Sequence, residues 1–168
     1  MDLFDFAMKM ELDGEKYYLD QAAKAETADL KRLLEGLAQD ERRHYEIVRA
    51  MKELSAECLE AQPALAETKT VFDLKLYEAY LRENQALLAQ SRTQQIDVYR
   101  AALKMEEESV ALYQKLAGES AKAAEKTIFA RLQQEEARHA DVFETLIAML
   151  NNAAEWVEAA EFNPKDNY

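Results

Sequence analysis

Residues 1–56 align without a gap on residues 96–151, and fourteen of those 56 positions carry the same residue 95 places later. In a chain rich in Ala, Glu and Lys the count is modest, but its distribution constrains the fold. "KME" stands at 9–11 and again at 104–106. Thirty residues after the glutamate of each copy comes a Glu-x-x-His pair, Glu41 with His44 and Glu136 with His139. The chain has two histidines, and both belong to this repeat. Each copy should fold as one similar unit, and two such units should pack as a pseudo-twofold pair.

Each unit reads as a helical hairpin. Three Gly and two Pro in 168 residues leave few breaks, and the dominant Leu, Ala, Glu, Lys, Gln and Arg are strong helix formers. The pattern predicts helices over 2–25, 28–58, 93–117 and 120–150. Thr27 is placed to cap the second, Gly118 to end the third and Ser120 to cap the fourth. The hairpins then cover 1–58 and 93–150, joined by 59–92, which Pro63 breaks and which is helical in pattern again over 71–90. A connection that long can run along the bundle and make the second and third helices parallel. The expected fold is all-α: a ferritin-like four-helix bundle over 1–150 with one long crossover between helices 2 and 3. A C-terminal tail, 151–168, follows. Its Trp156, Phe162 and Tyr168 suit docking on the bundle or on a second subunit, hence a homodimer.

The repeated polar residues fall on the apolar seams of these helices. In the second helix Leu30, Leu34, Leu37, Glu41, His44, Val48 and Met51 alternate steps of four and three, the spacing of a face turned to partner helices. Phe129, Leu132, Glu136, His139, Phe143, Leu146 and Leu150 do the same in the fourth. The first and third helices place Glu11 and Glu106 on equivalent seams, with Tyr18 and Tyr113 two turns later. Four ionised carboxylates inside a bundle are costly unless neutralised, and no lysine or arginine lies on these seams. Two divalent cations balance them. Four Glu and two His make an oxygen-rich set with one imidazole per ion, suited to iron or manganese and tolerant of zinc. Asp40 and Glu135, each preceding a seam glutamate, can accept a histidine N–H or face solvent. Tyr18 and Tyr113 are either core aromatics or hydroxyl donors to ligand carboxylates. Gly14 and Ser109, at matching positions, are small either to admit a ligand or to let helices approach.

These residues resemble the rubrerythrin branch of the ferritin-like superfamily, and the likeness spans essentially residues 1–150. The resemblance implies two iron ions, with an oxo or hydroxo bridge when oxidised. Glu41 and Glu136 would bridge them, Glu11 and Glu106 would be terminal ligands, and His44 and His139 would complete one position each. No catalytic residue beyond these ligands is implied. It further implies an oxidoreductase that reduces peroxide or oxygen, in keeping with a role in oxidative stress. Many members carry a further glutamate one turn after the third-helix ligand, which shifts with iron redox state; Ser109 stands there in this chain. Full-length rubrerythrins also add a rubredoxin domain with iron held by four cysteines. This sequence has only Cys58, so electrons are expected from a separate donor protein such as a rubredoxin.

Other functions are disfavoured. A net charge of −12 and a pI near 4.7 argue against holding a nucleic-acid backbone. No apolar stretch is long enough for a bilayer, the start lacks a signal-peptide pattern, and the lone cysteine suits a reducing cytoplasm. Two alternatives to the oxidoreductase stay open: a ferroxidase-type iron-handling protein, and a ferritin-like module with a structural metal.

Overall fold

The computed structural model describes the backbone of residues 3–54 and 85–161 and the side chains of 3–54 and 95–152. Four helices account for nearly all of it: α1 (Leu3–Ala22), α2 (Ala28–Glu53), α3 (Gln85–Glu119) and α4 (Ala123–Glu161). No strand occurs among the described residues. The helices α1 and α2 form one hairpin and α3 and α4 the other.

Contacts between the helices fix their directions. Arg42 pairs with Glu15, and Lys52 with Asp5, so α2 runs against α1. The Tyr17 hydroxyl donates to the Val98 carbonyl at 3.0 Å and the Tyr113 hydroxyl to Glu11, so α3 also runs against α1. Two helices antiparallel to a common third are parallel to each other. The helices α2 and α3, each antiparallel to α1, therefore run parallel, as in a one-crossover, ferritin-like bundle. Pro63 and the helical pattern over 71–84 lie outside the described residues.

The helix ends differ from the sequence expectation in instructive ways. Thr27 caps α2 as expected, its hydroxyl accepting from the Leu30 N–H at 3.3 Å. The first helix stops at Ala22 rather than 25, where bonds from Lys24 to Gln21 and from Ala25 to Ala22 tighten the chain into a turn. Ser120 does not cap α4. Its backbone N–H and its hydroxyl both bond to the Leu116 carbonyl, closing the C-terminus of α3, and α4 begins three residues later. Gly118 lies inside the last turn of α3 rather than beyond it. α3 begins at Gln85 instead of 93, and α4 continues to Glu161 instead of stopping at 150. Neither stretch contains Gly or Pro, and "NNAAEWVEAAE" is rich in Ala and Glu, so nothing local stops the helix. The first eleven residues of the expected tail thus prolong α4. The side chain of Trp156, and Phe162 and Tyr168 altogether, lie outside the described residues.

The seams bury two apolar clusters. Tyr18, Leu34, Leu37, Phe143 and Leu146 belong to one, and Val48, Met51, Tyr113, Phe129 and Leu132 to the other. Each fully buried Leu or Phe contributes about 1.5–3 kcal/mol relative to exposure. Along α2 and α4 the Glu-x-x-His pairs fall between the two clusters, so apolar side chains close off a polar layer on both sides. No described helix is long and apolar enough to cross a membrane.

The two hydroxyls at the hairpin turns should behave differently. Thr27→Ala removes a true N-cap and should cost about 1 kcal/mol. Ser120→Ala should cost clearly less, because its hydroxyl adds a bond to a carbonyl that its own backbone N–H already satisfies. Urea unfolding of both variants measures this; equal losses would contradict the turn geometry.

Candidate metal centre

The seam positions deliver one carboxylate from every helix. α1 supplies Glu11, α2 Glu41 and His44, α3 Glu106, and α4 Glu136 and His139, and none is more than 4% exposed. The spacing of three places each histidine one turn beyond its glutamate on the same face. The two imidazole rings lie nearly parallel, centroids 5.8 Å apart. Ligand-type atoms of Glu11, Glu41, His44 and Glu136 all fall within 4.8 Å of one another, and so do those of Glu41, Glu106, Glu136 and His139. The two groups share Glu41 and Glu136.

The inner atoms point at one another without hydrogen-bonding. His44 Nδ1 lies 2.7 Å from one Glu136 oxygen and 3.7 Å from Glu11. His139 Nδ1 lies 3.4–3.5 Å from Glu41, Glu106 and Glu136. Both Nδ1 atoms, both Glu136 oxygens and one oxygen each of Glu11 and Glu41 are buried with no hydrogen-bond partner among the described residues. A buried polar atom left unsatisfied costs about 1–3 kcal/mol, so six gathered in one layer call for cations or protons between them. Cations fit: four carboxylates and two imidazoles, each group mostly oxygen with one nitrogen, match iron or manganese and accept zinc.

The outer atoms are held, and the holding crosses between the repeats. The Tyr18 hydroxyl of α1 donates to Glu106 of α3, and the Tyr113 hydroxyl of α3 donates to Glu11 of α1. Asp40 and Glu135 are buried rather than solvated. His139 Nε2 of α4 lies 3.3 Å from Asp40 of α2, and His44 Nε2 of α2 lies 3.5 Å from Glu135 of α4. Each ring therefore turns Nδ1 inward and Nε2 to a carboxylate, which suits an imidazole that ligates through Nδ1. What sequence reasoning missed is Arg43, which contacts both Asp40 and Glu135. The available signal was its recurrence as Arg138 in the repeat.

Gly14 and Ser109 have separate jobs. A Cβ on Gly14 would meet the Glu41 carboxylate at 3.1 Å, so glycine lets α1 lie over that side chain. The Ser109 hydroxyl bonds back to the Met105 carbonyl at 3.1 Å and lies 3.4 Å from Met10 Sδ. Between α1 and α3 a cavity of about 260 Å³ reaches Glu41 and Glu106, lined also by Met10, Gly14, Met105 and Ser109.

Crowded charges shift the titration of the cluster. Burial pushes the Glu41 carboxyl well above its ordinary range, and the charges of Glu136, Glu106 and Glu11 push it further. Burial also raises Glu106, to about 7, against the pull of His139. Burial works the same way on Glu136, but there the two imidazoles win and hold the carboxyl well below the usual range. Both histidines lie well above their ordinary value: burial opposes this, and the surrounding carboxylates, led by Glu136 at His44 and Glu106 at His139, outweigh it. Burial and the neighbouring carboxylates keep Tyr18 and Tyr113 neutral and therefore donors.

Fold and cluster together define a class: a ferritin-like bundle with a buried carboxylate and histidine cluster able to hold metal. The family model described as Rubrerythrin matches residues 2–147, and the chain belongs to the rubrerythrin family. No curated protein and no solved structure matched the chain.

Two outcomes follow for the cluster. After chelation, Glu106 binds its proton more tightly folded than unfolded. Its stabilisation is complete below 4.5 and lost as pH rises through about 7. The raised histidines lose theirs higher still, while the depressed Glu136 acts below the ordinary carboxylate range. The melting temperature of chelated protein should therefore fall from about pH 5 to about pH 8. Metal-saturated protein should fall less, since cations replace the protons. A chelated protein that melts higher at the alkaline end would refute this. Second, Glu41→Ala or Glu136→Ala should abolish uptake of both ions, because both groups use these residues. His44→Ala or His139→Ala should spare one ion. Calorimetric metal titration of the four variants decides it, and equal losses would speak against sharing.

Proposed function

We propose that this protein is a dinuclear-iron oxidoreductase that reduces peroxide or oxygen with electrons from an external donor. The observation that carries this reading is the pair of four-residue groups sharing Glu41 and Glu136, with a cavity reaching Glu41 and Glu106. Two ferrous ions, when bound, supply the pair of electrons that turns one peroxide and two protons into two waters.

The chain's own residues do the rest. Glu11, Glu41, Glu106 and Glu136 would offset the charge of two divalent ions, and His44 and His139 would add one nitrogen to each. Tyr18 and Tyr113 hold the terminal carboxylates through their outer oxygens, leaving the inner ones to face the ions. The apolar clusters on either side keep bulk water away, which strengthens electrostatic interactions within the layer. The cavity between α1 and α3 is the route for a small oxidant, and it reaches Glu41 where Gly14 lets α1 lie over that side chain. Membership of the rubrerythrin family supports the reading. The single Cys58 of these 168 residues does not by itself make a four-cysteine iron site, and a separate donor such as a rubredoxin is proposed to supply the electrons.

A second reading, binding and oxidation of ferrous ion for onward release, draws support from Ser109. Its hydroxyl is turned back onto its own helix, so the position one turn after Glu106 adds no carboxylate to the cluster.

Iron-loaded, reduced protein mixed with excess peroxide separates the readings. Without a donor, consumption should stop after about one peroxide per site, because two electrons reduce one peroxide. Adding a rubredoxin with its reductase should restore turnover. Sustained consumption without a reductant would mean disproportionation instead; one peroxide per site with no turnover on adding the donor would favour iron handling, and no consumption would leave a structural metal.

A further inference from the structure

The four seam glutamates are matched by two divalent cations, but the buried anions do not end with them. Asp40 and Glu135 are 0% and 2% exposed, and two such ions leave their charges over. Each of these carboxylates faces the Nε2 of a histidine from the opposite hairpin, and a partner at that nitrogen sets the orientation and tautomer of a ligating ring.

One arginine nitrogen lies between the two carboxylates. Arg43 Nη2 is 3.1 Å from Asp40 Oδ1 and 3.2 Å from Glu135 Oε2. Its side chain is largely enclosed, at 24% exposure. A single guanidinium thus joins α2 to α4 and touches the supports of both rings. The repeat does not reproduce this arrangement. Arg138, its counterpart, is 59% exposed and reaches Glu135 at 3.8 Å. Glu135 therefore has both guanidinium groups as partners among the described residues. Asp40 has Arg43 and no other arginine or lysine among the described residues.

We propose that Arg43 is a positioning residue that holds both histidine rings of the cluster for metal through Asp40 and Glu135, and that the position completed by His139 depends on it more than the one completed by His44. This rests on the dinuclear reading above. The asymmetry has a simple cause: His139 leans on a carboxylate supported by one guanidinium, and His44 on a carboxylate supported by two.

Cobalt(II) alone, added to chelator-treated protein, tests it without any turnover. Calorimetry and the visible cobalt absorption give the uptake and affinity of each ion, and circular dichroism checks the fold. Arg43→Gln should weaken one of the two ions about ten- to hundred-fold and the other by clearly less. Arg43→Lys should recover part of the loss, and Arg138→Gln should resemble wild type. Asp40→Asn should weaken the same ion, and combining it with Arg43→Gln should add little, because the two act through one contact. Unchanged affinities in Arg43→Gln, equal weakening of both ions, or an equal effect of Arg138→Gln would overturn the proposal. So would a lowered melting temperature with cobalt affinities intact, which is what a purely structural arginine would show. Should Arg43→Gln fail to fold, Arg43→Lys and Asp40→Asn carry the same comparison. Wild-type protein that takes up fewer than two ions would fail the dinuclear reading itself, a result distinct from two ions bound with indifference to Arg43.

Discussion

Four carboxylates and two imidazoles meet inside the bundle with most of their inner atoms unsatisfied, and the rest of the structure is arranged around that concentration of charge. An apolar bundle of this length would be simpler to stabilise with leucine at all six positions. Instead each helix interrupts its seam with a glutamate, and two of them add a histidine. Hydrophobic packing on both sides makes the layer tolerable by surrounding it with well-filled clusters. The cost of desolvating the charges then falls to whatever binds between them: cations when present, protons otherwise. The upward shifts of Glu41, Glu106, His44 and His139 express that second option.

The supports of this layer are reciprocal. A tyrosine from each hairpin holds a glutamate of the other, and a carboxylate from each hairpin faces a histidine of the other. Neither hairpin can complete its half of the cluster alone. Duplication of a segment that could not satisfy its own polar groups, followed by antiparallel pairing, produces this crossing directly. The pairing also ties the two halves of the layer together: displacing one ring or carboxylate disturbs a contact in both halves.

The pseudo-symmetry is broken at two places, and both bear on chemistry. Gly14 and Ser109 occupy equivalent positions, yet one makes room for the Glu41 carboxylate while the other ties its hydroxyl to its own helix. The cavity accordingly reaches Glu41 and Glu106 rather than their repeat counterparts. Arg43 and Arg138 are likewise equivalent in sequence, yet one is enclosed between two carboxylates and the other lies mostly in solvent. A bundle built from two similar halves thereby presents two groups of candidate ligands that differ in access and in support.

The sequence by itself determined the helices, the pairing of hairpins and the six-residue cluster. Those depend on local propensity and on the period of the seam, and Glu41, His44, Glu136 and His139 show both within a few residues. It left the helix ends open, because Ser120 offers the same hydroxyl to either helix and only the position of Leu116 decides which carbonyl it reaches. It also left Tyr18, Tyr113, Asp40 and Glu135 between packing, solvation and support. Their roles depend on which residues of the other hairpin stand opposite, and partners some ninety or more positions away cannot be read from spacing along one helix. Arg43 is the clearest case. In sequence it is one more cation on a charged helix, and only the docking of α4 against α2 places two buried carboxylates within reach of a single nitrogen.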